Sequence, residues 1–169
     1  MTKITNSSKF SEVASAILDL KGVVTIKDIV DAILQIGNFQ QDTLDKIKRV
    51  SSQELYGTFN PYFHEYLDNI KVDMTYQRRV RLRQLLNKLT NAKGFHAQGA
   101  GAIDVAMRGT EAFTWDGLRR SILAGISGCD YIPVARFNHD RGASVTHMQQ
   151  TEARFFKMRN ADTEKMKPE

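Results

Sequence analysis

The residues best suited to chemistry with a charged partner form one basic window that contains no acid. Between residues 74 and 103 the chain has six Lys or Arg and no Asp or Glu. The flanking segments are nearly balanced, with eight bases and ten acids in residues 1–73 and ten bases and nine acids in residues 104–169. The net charge of +5 therefore comes from a single window, as expected of a surface that binds a polyanion.

We expect this window to begin with a helix that is capped by Thr75. Helical periodicity gathers its leucines on one face that can be buried, namely Leu82, Leu85, Leu86 and Leu89. We assign phosphate contacts to the cations of the window and of the following segment, namely Arg78, Arg79, Arg81, Arg83, Lys88, Lys93 and Arg108. An amide matches the adenine edge and a guanidinium matches guanine, so we assign base contacts to Arg83, Gln84, Asn87 and Asn91.

The charge pattern of this predicted helix indicates a partner outside the chain. Surface helices usually alternate positive and negative side chains, because opposite charges three or four residues apart stabilise them. Here the charges are all alike and repel each other, so a counter-charge supplied by a partner explains the pattern best. We favour double-stranded DNA; RNA, single-stranded DNA and an acidic protein surface remain alternatives.

An enzymatic interpretation has to use Cys129, His139, Asp140 and His147. Cysteine and histidine could form a nucleophile and a base, but no known local motif surrounds them. They are also too few and too irregularly spaced to indicate a structural zinc site. We therefore expect no catalytic residue, no metal ligand and no cofactor. We expect "HDRG" to be a polar turn, with Arg136 and Arg141 as a secondary basic patch.

The remaining pattern predicts a mainly α fold with small β-hairpins. Early helices are predicted near 9–20, 26–36 and 43–50, followed by an aromatic-rich helix after Asn60-Pro61 and further helices near 115–125 and 149–160. "CDYIPVARF" and "ASVTHM" are predicted strands around the "NHDRG" turn. We divide the chain into an N-terminal helical region (1–58), a nucleic-acid-binding region (59–125) and a C-terminal hairpin and helix (126–169).

The order of elements after the basic helix has a counterpart in a known superfamily. The strand-like "FHAQ" and "AIDVAM" are joined by the turn "GAG". Helix, strand, glycine turn and strand over about residues 58–110 resemble the winged helix-turn-helix superfamily. The resemblance implies a winged-helix-like centre with extra N- and C-terminal elements. It also implies a recognition helix in the major groove and a wing, with His96 and Gln98, at the flanking backbone or minor groove.

Together these features predict a non-enzymatic DNA-binding protein, either a regulator or an architectural or replication accessory factor, that acts as a homodimer. The alternative is an interaction protein of viral or mobile-element origin that binds RNA, single-stranded DNA or an acidic host protein. No apolar run is long enough to cross a bilayer, and the polar N-terminus lacks the apolar core of a signal peptide. We therefore expect a cytoplasmic protein.

Overall fold

The structure is a computed structural model, and it describes residues 22–35, 49–77 and 101–165. The helices in these ranges are α1 (Ile26–Leu34), α2 (Ser52–Tyr56), α3 (Leu118–Ser127) and α4 (Val145–Lys165). The strands are β1 (Val23–Thr25), β2 (His64–Tyr66), β3 (Ile70–Asp73), β4 (Ile103–Arg108), β5 (Glu111–Asp116) and β6 (Tyr131–Asn138).

These strands form one mixed sheet in the order β1-β3-β5-β4-β6-β2. Strand β3 is parallel to β5 and β4 is parallel to β6, whereas the other neighbours are antiparallel. The protein is therefore an α/β protein, and the prediction of a mainly α fold with small β-hairpins is wrong. Strands from all three regions predicted from the sequence join this sheet.

One face of the sheet is apolar and is covered by α1 and α3. Alternate residues of the strands contribute its core, namely Ile70, Val72, Ile103, Val105, Ala112, Ile132 and Val134. Thr25 begins α1 as its position in the sequence predicts, because its side chain accepts a hydrogen bond from the Asp28 backbone while the Asp28 carboxylate accepts one from Thr25. The buried Ile26, Ile29 and Ile33 of α1 then face the sheet.

The opposite face carries polar and aromatic side chains and is covered by α4. Phe155 of α4 contacts the rings of Trp115 and Phe137, which belong to β5 and β6. One turn further along, Arg159 forms ion pairs with Asp104 and Asp116. Charged residues thus alternate with apolar ones along the central strands. A sequence reading takes that alternation for surface polarity, although the charges are covered by a helix.

The buried hydroxyl of Ser52 attaches α2 to the start of β6. It donates to the backbone carbonyl of Tyr131 and accepts from the backbone N–H groups of Asp130 and Tyr131. The thiol of Cys129 donates to the carbonyl of Val50, and burial raises the pKa of this thiol. Cys129 is therefore part of the packing beneath α2.

Strand β4 is central, although the sequence predicted it as one arm of a wing hairpin. It pairs with β5 through Asp104–Arg108 and with β6 through Ile103–Met107. Both of its hydrogen-bonding edges are thus occupied by strands of the sheet. The predicted recognition helix and the rest of the wing fall in residues 78–100, outside the described residues, and the superfamily resemblance remains a prediction.

Two further local predictions are wrong, and one predicted helix begins later than expected. The aromatic segment after Pro61 forms a turn and then β2, because the Asn60 side chain accepts from the Tyr62 backbone and the ring of His64 accepts from the Asn60 backbone. The segment "ASVTHM" leads into α4 and is not a strand. The helix predicted near 115–125 begins only at Leu118, since Trp115 and Asp116 complete β5.

No helix in the described ranges combines the length and the apolar character that crossing a bilayer requires.

The contact between α1 and α3 depends on the absence of a side chain at Gly125. A Cβ there would lie 2.6 Å from Val30 Cγ2 and 3.0 Å from Leu67 Cδ1. We expect Gly125→Ala to lower the free energy of unfolding by about 1–3 kcal/mol, because overpacking outweighs the better helix propensity of alanine. Urea denaturation measures this loss.

Val30→Ala supplies the control for this substitution. Removing the two methyl groups makes room for the new Cβ, so the double variant should be more stable than the sum of the single losses predicts. Strictly additive losses would show that Gly125 and Val30 do not compete for the same space.

Candidate functional site

The nucleic-acid-binding residues predicted from the sequence fall almost entirely outside the described residues. Those outside are Arg78, Arg79, Arg81, Arg83, Gln84, Asn87, Lys88, Asn91, Lys93, His96 and Gln98. Arg108 is described, and it lies at the end of β4 on the face covered by α4. Its side chain is only 8% exposed, so it is not displayed toward a nucleic-acid backbone.

The Arg108 guanidinium joins two acidic residues that are far apart in the sequence. Its Nε and Nη2 each lie 2.8 Å from an oxygen of Glu152, and Nη2 also lies 2.9 Å from Asp73 Oδ2. The guanidinium stacks 3.9 Å above the centre of the Phe113 ring. Burial alone would lower the pKa of Arg108, but its hydrogen bonds to Glu152 and Asp73 raise it, so the group stays charged.

Glu152 has a side chain that is 0% exposed and is the centre of this network. Its Oε1 accepts from Arg108 and from the Tyr76 hydroxyl, at 2.7 Å from the latter. Its Oε2 accepts from Arg108 and lies 2.8 Å from Nε2 of His139. Four donors therefore fix one buried carboxylate, which satisfies the requirement that a buried charge be paired and hydrogen-bonded.

Asp73 ends β3 and is held from three directions. Oδ1 accepts from the backbone and the hydroxyl of Thr75, and Oδ2 accepts from Arg108 and from the Gln149 amide. Burial alone would raise the pKa of Asp73, but the hydrogen bonds from Thr75, Arg108 and Gln149 outweigh it and lower the pKa below the ordinary 3.8.

The residues just before the basic segment are attached to the same network. Gln77 donates a hydrogen bond of 2.9 Å to the carbonyl of Thr114, and Tyr76 binds Glu152 as described above. Burial, together with the Glu152 carboxylate, raises the pKa of Tyr76 far above its usual value, so its hydroxyl remains a donor. Arg78 follows directly in the chain. The basic segment thus leaves the scaffold from an anchored position.

His139 connects the network to a cleft with a volume of about 630 Å³. The cleft is formed by residues 138–143, which join β6 to α4, by Met107 and Gly109 at the end of β4, and by Met148. The His139 side chain is only 4% exposed, so most of the ring is hidden beneath the cleft. Gly109 and Gly142 turn the backbone at positive φ of 66° and 81°.

The structure separates the residues of the enzymatic interpretation based on Cys129. Cys129 lies in the apolar core beneath α2, whereas His139 bonds to Glu152 on the opposite face of the sheet. His147 is exposed near the start of α4. Asp140 is the one member of the set that shares a site with His139, because both line the cleft.

Among the described residues, no group of three or more His, Cys, Asp or Glu side chains is arranged to hold a metal ion. The charged groups that do converge are Arg108, Asp73 and Glu152, with His139 beside them. This arrangement can fix an imidazole in one orientation at the edge of a cleft. It can also anchor the segment that begins at residue 78.

Sequence reasoning overlooked Asp73 and Glu152, which are the two carboxylates of the network. Asp73 lies between the predicted aromatic-rich helix and the predicted basic helix, and Glu152 was one acid in the helix predicted near 149–160. A local signal existed only for Asp73, since Asp followed two residues later by Thr is a turn pattern in which the side chain bonds the backbone. Nothing near Glu152 indicated that it would be fully buried.

The fold and the site together define an α/β protein with a mixed six-stranded sheet and a buried ionic network beside a cleft. No protein-family model, curated protein or solved structure matches the chain.

Loss of the buried Arg108 guanidinium should destabilise the fold more than loss of any other contact in the network. We expect Arg108→Met to lower the free energy of unfolding by about 3–5 kcal/mol, because two buried carboxylates lose their counter-charge. Lys71→Met is the matched control, since it breaks the partly exposed ion pair between Lys71 and Glu111 and should cost about 0–1 kcal/mol. Urea denaturation distinguishes the two, and equal losses would contradict the assignment.

The lowered pKa of Asp73 makes a prediction about acid stability. A carboxylate with a lower pKa in the folded state stabilises the fold above its ordinary pKa, and this contribution is lost as the pH falls through the folded-state value. We expect wild type to be more stable than Asp73→Asn at about pH 7, by a margin that shrinks toward about pH 3. Urea midpoints across this range measure the margin.

Asp68→Asn, which changes an exposed carboxyl in the β2–β3 turn, serves as the control. Its effect should be small, because substitutions at exposed positions usually change the free energy of unfolding by no more than about 0.5 kcal/mol. A margin for Asp73→Asn that does not change with pH would show that the ionised form of Asp73 is not the stabilising species.

Proposed function

We propose that the protein binds nucleic acid, with duplex DNA as the first candidate, through the basic segment at residues 78–93. The observation that carries this proposal is the segregation of charge. The described ranges contain 12 Lys or Arg and 14 Asp or Glu, a balance of −2. Residues 78–100 contain six Lys or Arg and no acid, a balance of +6, in a chain whose net charge is +5. The scaffold thus contributes no excess positive charge of its own.

The ion pairs within the scaffold support this proposal. Lys27, Lys71, Arg108, Arg136 and Arg159 each bind a carboxylate of the same scaffold. These contacts use many of the acids that could otherwise neutralise the basic segment. A polyanion outside the chain is then the natural source of counter-charge.

In this proposal the cations bind phosphates, while Gln84, Asn87 and Asn91 contact base edges. Phosphate contacts make the affinity fall steeply with salt, because bound counterions are released. The attachment of Tyr76 and Gln77 to the scaffold supports the idea that the segment is presented from a fixed origin. A role as a regulator or as an architectural or replication accessory factor is compatible with such binding.

A second candidate is single-stranded nucleic acid, and one observation favours it. Tyr62 and Phe63, which the sequence predicted to lie in a helix, are 85% and 63% exposed. Their ring centres lie 6.2 Å apart in the turn before β2. Exposed aromatic rings can stack on unpaired bases, each stacked base being worth about 1–3 kcal/mol.

The decisive experiment reverses the charge of three residues in the basic segment. We expect Arg79→Glu, Arg81→Glu and Arg83→Glu together to abolish the gel shift of a random-sequence DNA duplex, because three phosphate contacts become repulsive. Wild-type affinity should also fall as salt is raised from about 50 to about 200 mM. Circular dichroism verifies that the variant remains folded.

A matched triple variant controls for the loss of net charge. Arg119→Glu, Arg154→Glu and Lys157→Glu change three exposed cations of the described scaffold and lower the net charge by the same amount. This variant should retain most of the binding. Equal loss in both variants, or no binding by wild type to duplex or single strands, would contradict the proposal. Stronger binding to single strands would favour the second candidate.

A further inference from the structure

The cleft beside His139 has properties that nucleic-acid binding at the basic segment does not use. Its volume of about 630 Å³ is in the range of small-molecule sites. Asn138, Asp140 and Arg141 line it with an amide, a carboxylate and a guanidinium, while Met107 and Met148 add apolar surface. A few polar groups on a partly apolar lining are typical of sites that orient a small ligand.

Glu152 determines which nitrogen of His139 is available to such a ligand. The Glu152 carboxylate offers only acceptors, so the contact of 2.8 Å requires a hydrogen on Nε2 of His139. The two ring nitrogens point away from each other, and Nδ1 therefore points away from Glu152. Within the described part of the chain Nδ1 forms no hydrogen bond. In the neutral ring it carries a lone pair that can accept a proton.

The arrangement has the geometry of a positioned general base. In such sites a buried carboxylate holds one imidazole nitrogen and thereby fixes the tautomer and the orientation of the ring. Here the carboxylate is itself held by Arg108 and Tyr76. Apolar residues could join α4 to the sheet with equal or better stability, so a buried ionic network next to a cleft indicates a functional site.

The lining indicates the chemical class of the ligand. Arg141 is exposed and forms no ion pair within the described residues, and its planar guanidinium matches the oxygens of a phosphate. The Asp140 carboxylate and the Asn138 amide can accept hydrogen bonds from sugar hydroxyls or base N–H groups. A nucleotide carries all of these groups, and the methionine side chains offer soft surfaces for its base.

We propose that this cleft is an acid–base site that hydrolyses a phosphate ester of a nucleotide, with Nδ1 of His139 as the general base. Nδ1 takes one proton from a water molecule, and the water oxygen forms a bond to phosphorus. The bond between phosphorus and the ester oxygen breaks, and its electron pair stays on that oxygen. The leaving oxygen lies on the opposite side of phosphorus and takes a proton from water, and Nδ1 gives its proton to solvent, which restores the neutral ring. Arg141 binds the phosphate oxygens during the step.

This inference departs from the non-enzymatic role that the sequence predicted. It rests on the proposed function only for the expectation that a nucleic-acid strand could supply the nucleotide. A free nucleotide offers the same chemistry. The two sources are therefore separate arms of the experiment.

The experiment uses the full-length protein and three kinds of substrate. Nucleoside 5′-monophosphates are assayed by release of inorganic phosphate, and fluorescein-labelled single-stranded DNA and RNA are assayed by the appearance of shorter products. We expect wild type to turn over at least one of them. His139→Gln should lower the initial rate by about 10²–10⁴-fold, the usual contribution of a general base.

His147→Gln is the matched control, because His147 is exposed near the start of α4 and does not line the cleft. It should retain the wild-type rate. Equal rates for wild type and His139→Gln, or no turnover of any substrate by wild type, would overturn the inference. If duplex DNA binding fails while turnover depends on His139, the proposed function fails and this inference stands.

Glu152 acts as a positioning residue in this scheme, and its test needs a readout other than rate. In Glu152→Gln the side-chain amide can donate to Nε2, so the ring proton moves to Nδ1 and the base is lost. We expect kcat to fall while KM changes little. Nitrogen-15 NMR of the His139 ring should show the hydrogen on Nδ1. An unchanged tautomer together with an unchanged rate would leave Glu152 a purely structural role and contradict the scheme.

Discussion

The contact between the Arg108 guanidinium and the Glu152 carboxylate determines how α4 lies on the sheet. An apolar helix can slide along an apolar surface at modest cost, but a buried charge loses its partner if the helix moves by one residue. The pair therefore fixes both the rotation and the register of α4. The position of α4 in turn determines the contacts of Phe155 and Arg159, and it sets one end of the loop that forms the cleft. Asp73 extends the same constraint to β3.

The sequence predicts the architecture only where the conformation of a segment is determined by its own residues. Thr25 and Asp28 form a cap from neighbouring residues, and the start of α1 follows from them. Strand β3 was missed and β4 was predicted as one arm of a wing hairpin, because charged side chains that are normally exposed occupy alternate positions along them. Side chains of α4 cover those charges. The covering residues lie about 40–80 positions further along the chain, so no local sequence pattern predicts that the charges will be buried. Tertiary context thus overrode the local reading of polarity.

The two candidate sites also differ in whether a single segment of the sequence defines them. The basic segment is a property of composition, so the sequence alone defines it and the structure adds only the anchored residues before it. The network and the cleft are properties of three-dimensional placement, because Asp73, Arg108, His139 and Glu152 come from separate elements. The sequence predicted Arg108 as a phosphate ligand, whereas the fold encloses its side chain. In the enzymatic interpretation, which the sequence did not favour, His139 would have paired with the distant Cys129 thiol, whereas the fold joins it to Glu152.

The strand order also has a consequence for how the chain reaches its native state. Strand β6 lies between β4 and β2, both of which precede it in the chain. During synthesis β2 therefore has no neighbour until β6 emerges, and Arg108 remains without Glu152 until α4 follows. The nascent chain must keep one edge of β4 unpaired, and the Arg108 guanidinium without its Glu152 partner, until residues 131–165 are made. Completion of the sheet and of the ionic network is thus a long-range event that depends on β6 and α4.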